Sequence, residues 1–88
     1  KEKLLFAEEL WKMHKPDLML VYTTDLDTVH HEKGVYSKEA MEKLKEIDKL
    51  VGGFIKSIQL DKNHVRFIIV SDHGFKRVDN ICYPNKFL

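Results

Sequence analysis

Two short apolar runs separated by one long amphipathic stretch constrain this chain more than any other feature. "DLMLVYTT" occupies residues 17–24 and "VRFIIV" occupies residues 65–70. Both are rich in strand formers, and both are predicted as strands buried on their two faces, the kind found in parallel sheets. Between them Met41, Leu44, Ile47, Leu50, Val51, Phe54, Ile55 and Ile58 recur at three- and four-residue spacing. That spacing predicts a helix over 38–59, with Ser37 as its N-cap. Gly52 and Gly53 each cost that helix about 1 kcal/mol relative to alanine. Close packing on a sheet would account for them. A first amphipathic helix is predicted over 3–14, "KLLFAEELWKMH". Lys12 and His14 suit the negative end of its dipole, and Pro16 stops it.

Strand, long helix, strand is the order of a right-handed parallel crossover. The expected fold class is therefore α/β, a helix plus a βαβ unit with parallel strands. Parallel strands end on the same edge of a sheet. A loop carrying Asp25, Asp27, His30, His31 and Gly34 follows the first strand, and Ser71-Asp72-His73-Gly74 follows the second. Asp27, His31, Asp72 and His73 are thus expected at one edge, where open α/β sheets place their ligands. Two helices cannot cover two such strands on both faces. Residues 1–88 are accordingly expected to be a single fragment of a larger domain, or to complete themselves by association through exposed sheet edges.

Charge and composition exclude several functions. Fifteen basic residues stand against fourteen acidic ones, a net charge of +1. That balance argues against a nucleic-acid-binding face and against a polybasic membrane anchor. Apolar runs of about five residues fall far short of the ~20 that cross a bilayer, so no membrane segment is expected. A single cysteine, Cys82, allows no internal disulfide, and the expected compartment is reducing and cytoplasmic. Gly-rich phosphate loops, G-x-S-x-G elbows and CxxC pairs do not occur.

Carboxylate and imidazole together suit zinc and, with more oxygen ligands, manganese or iron. Two such pairs are present, D-x-x-x-H at 27 and 31 and D-H at 72 and 73. Neighbouring strand ends can bring two clusters to the roughly 3.5–4 Å that separates the metals of two-metal sites. The plainer reading is that Asp72 caps a turn, Gly74 supplies a positive φ, and the other residues are solvated loop. Periodicity does not choose between His31 and His30, or between Asp27 and Asp25. His14 and His64 read as structural, and Cys82 as a small buried hydrophobe.

Three stretches together resemble the alkaline phosphatase superfamily, and within it the type I phosphodiesterase/nucleotide pyrophosphatase family. They are "PDLMLVYTTDLDTVHHEKG", "EIDKLVGGFIKSI" and "FIIVSDHGF". Asp27, His31 and Gly34 fit a strand followed by Asp, three residues, His, two residues and Gly. Ile47, Asp48, Val51 and Gly52 fit the helix pattern, and Ser71-Asp72-His73-Gly74 is the most specific element. His30 departs from the pattern, which often carries glycine there. The resemblance spans about residues 16–75 and implies that the βαβ unit belongs to a larger three-layer αβα sheet. It implies two divalent metal ions, zinc foremost with manganese or iron as alternatives. Asp27 and His31 would bind one, Asp72 and His73 the other. It implies hydrolysis of phosphodiester or pyrophosphate bonds in a small phosphorylated or nucleotide substrate. The family's nucleophile has no counterpart here, since Thr23, Thr24 and Thr28 do not match its context, so the 88 residues alone are expected to be inactive. Phosphonate hydrolases, phosphomutases and sulfatase-like enzymes share the metal scaffold and form the alternative within the superfamily. A non-catalytic α/β association module is the alternative outside it.

Overall fold

The computed structural model describes residues 1–88 as α1 (Glu2–His14), α2 (Asp25–Lys33), α3 (Lys38–Ile58) and a 3-10 turn at Pro84–Lys86. α3 begins as its sequence dictates. Ser37 is extended, and its Oγ accepts a hydrogen bond from the Ala40 N–H at 3.2 Å. One of the amides that the first turn leaves unpaired is thereby satisfied. α1 ends at Lys15, which adopts a left-handed conformation and donates its N–H to the Trp11 carbonyl, just before Pro16.

α1 packs against α3 through Ala7, Phe54 and Ile58, with Leu4 and Trp11 at the margin. The two segments expected as strands lie against this pair. Met19 reaches the core from the first, and Val65 and Phe67 reach it from the second. The Phe54 and Phe67 rings stand 6.3 Å apart. Val65 and Phe67 turn inward while Arg66 and Ile68 turn outward, an alternation of period two.

The α/β expectation is overturned: the molecule is helical, without a strand, a βαβ unit or any layer of an αβα sheet. The reason lies in where each element finds its hydrogen bonds. A helix closes its own ladder, whereas a strand needs a second chain segment beside it. Residues 17–23 and 66–82 make no backbone–backbone hydrogen bonds at all. Apolar side chains on these segments stay in water, with Leu20 87% and Val70 85% exposed. The radius of gyration is 17.7 Å, against about 12 Å for a compact chain of this size. Exposed surface reaches 8035 Å², against about 5,400 Å² for a compact monomer of this mass.

Two smaller expectations also change. A Cβ at Gly52 or Gly53 would meet nothing within 4 Å, so no close approach explains these glycines. The positive-φ glycine is Gly34, at 102°, and not Gly74. No helix is long and apolar enough to cross a membrane.

Candidate metal centre

Residues 25–33, expected as loop, are helix α2. The dipole explains its direction: Asp25 and Asp27 occupy the first turn, and His30, His31 and Lys33 the last. Asp27 and His31 are four residues apart and therefore share a face. Their Oδ1 and Nε2 atoms are 3.4 Å apart. Asp25 instead lies 3.9 Å from the N-terminal ammonium. His30 points the other way, into the protein, and is 7% exposed. Its Nδ1 accepts the Tyr36 N–H at 3.2 Å.

The second pair is set by local hydrogen bonds at the end of the 65–70 segment. Ser71 Oγ donates to the His73 carbonyl at 2.7 Å, and the His73 N–H donates to Asp72 Oδ1 at 3.0 Å. His73 Nδ1 sits 3.0 Å from the Gly74 carbonyl, so it carries a proton as the donor. Nε2 is then directed at Asp27 Oδ1, 3.6 Å away, and at Asp72 Oδ2, 3.7 Å away. The Gly74 carbonyl first, and then the charges of Asp72 and Asp27, raise the His73 pKa above the ordinary imidazole value.

Asp27 Oδ1 thus lies between His31 and His73, and Asp72 joins them through His73. Asp27 Oδ1 is shielded from solvent and accepts no hydrogen bond, although two imidazole nitrogens lie within 4 Å of it. A buried, unpaired carboxylate oxygen is costly. The carboxylates favour a positive charge at the His73 Nε2, and a divalent cation could take the place of that proton. The donor chemistry therefore fits a cation. Geometrically the donors form two pairs, and no three of the His, Cys, Asp and Glu side chains make a complete ligand set. Each pair offers two donors against the four of tetrahedral zinc.

Phe75 and Tyr36 were not singled out by the sequence, yet they border the site. The Phe75 ring stacks on His30 at 4.4 Å and meets His31 and His73 edge-on at 5.5 and 5.4 Å. The Tyr36 hydroxyl donates to the Phe75 carbonyl at 2.9 Å. Only the aromatic residue directly after "SDHG" hinted at this role.

The model of the type I phosphodiesterase / nucleotide pyrophosphatase family matches residues 2–88. The chain belongs to this family. A pyrophosphatase/phosphodiesterase of Schizosaccharomyces pombe is 34% identical over 77 residues, covering 84% of this chain and 16% of that protein. Ectonucleotide pyrophosphatase/phosphodiesterase family member 1 of Mus musculus is 32% identical over 79 residues, covering 84% of this chain and 9% of that protein. Venom phosphodiesterase 2 of Crotalus adamanteus is 28% identical over 72 residues, covering 80% of this chain and 9% of that protein. The chain thus spans about one sixth or less of the relatives it matches. No solved structure matches it.

These relatives overturn the cytoplasmic expectation, because ectonucleotide and venom enzymes act outside the cell. The physical flaw lay in Cys82. A lone exposed thiol has no partner within the chain, so it carries no record of the redox compartment.

Proposed function

We infer that this segment supplies two pairs of metal ligands to a hydrolase of phosphodiester or pyrophosphate bonds in nucleotide-type substrates. Asp27 and His31 form one pair, and Asp72 and His73 the other. The observation that carries this reading is the unpaired, shielded Asp27 Oδ1 with His31 and His73 Nε2 at 3.4 and 3.6 Å. A pair of divalent ions, zinc foremost, would supply Lewis acidity toward the phosphoryl oxygens and offset their charge. The chain's own part is to hold donors in place. α2 fixes Asp27 and His31 on one face. The Gly74 carbonyl holds His73 Nδ1, which leaves Nε2 as the ligating atom, a common outer-shell arrangement.

No residue here is assigned as the nucleophile. The Thr28 hydroxyl is already committed to the Thr24 carbonyl at 3.0 Å. Residues 1–88 on their own are expected to turn over no substrate. The match to the type I family over residues 2–88 favours diester and pyrophosphate substrates over phosphonates and sulfate esters.

The test uses a catalytic domain that contains this segment. Asp27→Ala and His73→Ala should each lower kcat for bis(p-nitrophenyl) phosphate by more than about 100-fold, beyond the range typical of outer-shell partners. Zinc content should fall in parallel. Hydrolysis and zinc content unchanged in both variants would overturn the assignment.

A further inference from the structure

We propose that His30 is a positioning residue that clamps the Asp72-His73 turn onto α2 through Phe75. The proposal rests on the reading of Asp27, His31, Asp72 and His73 as metal ligands. Its starting point is a structural gap. Residues 66–82 have no backbone–backbone hydrogen bonds to any other element. The hydrogen bonds of Ser71, Asp72 and His73 shape the turn internally but do not tie it to α2. Something else must hold one ligand pair at a fixed distance from the other.

Side chains fill that role. His30 is the only buried polar residue of the chain. It lies next to His31 on α2, yet faces away from the ligands. Its ring lies nearly parallel to Phe75, at 15° and 4.4 Å between centroids. Its Nδ1 accepts the Tyr36 N–H at 3.2 Å. Tyr36 sits at a φ of 57°, a conformation that non-glycine residues adopt at a cost. His30 meets that strained amide from one side. The hydroxyl of the same tyrosine reaches the Phe75 carbonyl from the other. His30, Tyr36 and Phe75 therefore close a loop of contacts from α2 to the end of the 65–70 segment.

The consequence for the ligands is direct. Phe75 stands edge-on to both His31 and His73, at 77° and 74°. One ring thus contacts an imidazole of each proposed pair. A glycine at position 30 would offer neither the flat face nor the acceptor. Imidazole combines both, which phenylalanine and asparagine each do only in part.

The test is proton NMR of the full 88-residue chain, first without metal and then with zinc added to millimolar concentration. The metal-free chain should show nuclear Overhauser contacts from the Phe75 ring to His30, His31 and His73. His30→Ala should abolish the contacts to His31 and His73 and weaken zinc binding by about 10- to 100-fold, as outer-shell losses do. Resonances of Ala7 and Phe54 should stay in place and report an intact α1/α3 pair. His30→Phe keeps the stacking face and should restore the ring contacts and part of the affinity. A purely structural role would move the thermal midpoint and leave zinc affinity within twofold, and that result would overturn the proposal. Zinc binding without ring contacts in the unsubstituted chain would overturn the clamp alone. Ring contacts without any zinc response, in this chain and in a catalytic domain that contains it, would overturn the metal reading, and the positioning role with it.

Discussion

The α1/α3 pair and the two unpaired segments have opposite fates, although the segments are the more apolar in sequence. On α3, Phe54 is 6% exposed and Ile58 is buried beside it. On the 65–70 segment, Ile68, Ile69 and Val70 all face water. Hydrophobicity does not separate them. The difference is whether an element can satisfy its backbone before it finds neighbours. A helix does so within each turn, and its apolar stripe is then free to pack on another helix. An extended segment can offer its side chains to a core only while its amides and carbonyls are paired elsewhere or left in water. Here they are left in water, and one inward-facing row suffices to dock the segment: Val65 and Phe67.

The comparison is most exposed to hydrogen exchange. Amides of the middle of α3 should exchange about 100-fold or more slowly than those of 17–23 and 66–82, as roughly 3 kcal/mol of local stability requires. Comparable rates in both regions would erase the distinction. Next in size is Phe54→Ala, which removes the ring that α1, α3 and Phe67 share. It should cost about 3 kcal/mol or more, read as loss of the cooperative thermal transition. A loss below about 1 kcal/mol would mean that the helices are held by propensity and not by packing.

Smaller changes sharpen the helical side. Ser37→Ala removes the cap on Ala40 and should destabilise α3 by about 1 kcal/mol in denaturant titration. Gly53→Ala enters open space and should stabilise α3 by up to about 1 kcal/mol. Destabilisation by Gly53→Ala would reveal a close neighbour at that face. The smallest effect belongs to Glu8, whose pKa is lowered chiefly by the hydrogen bond from Lys12 at 2.6 Å. A lowered carboxylate binds fewer protons folded than unfolded. Its contribution is therefore present above the ordinary carboxylate value and lost as pH falls through the folded one. Helicity of α1 by circular dichroism should drop more steeply with acid in the parent chain than in Glu8→Gln.

α1, α3 and the Ser37 cap were legible because a helical period of 3.6 is written in consecutive residues. α2 was missed because "DLDTVHHEK" has no apolar stripe to reveal that period. Its signals were the acidic first turn, the basic last turn and the four-residue step from Asp27 to His31. The Asp27–His31 and Asp72–His73 pairs were legible as residue types and as a resemblance, and they do converge, though by way of a helix and a turn instead of two strand ends. The choice of His31 over His30 follows the family spacing in the sequence. Their opposite orientations appear only once α2 is a helix.

By itself, the sequence determined α1, α3, the Ser37 cap, the family and the four residues proposed as donors, because each of these depends on neighbours along the chain or on a motif. Tertiary structure decided the rest. It set the apolar segments beside α1 and α3 without a ladder, turned His30 inward against Phe75, and brought His73 to Asp27. Those outcomes depend on contacts between residues far apart in the chain, which no local pattern encodes.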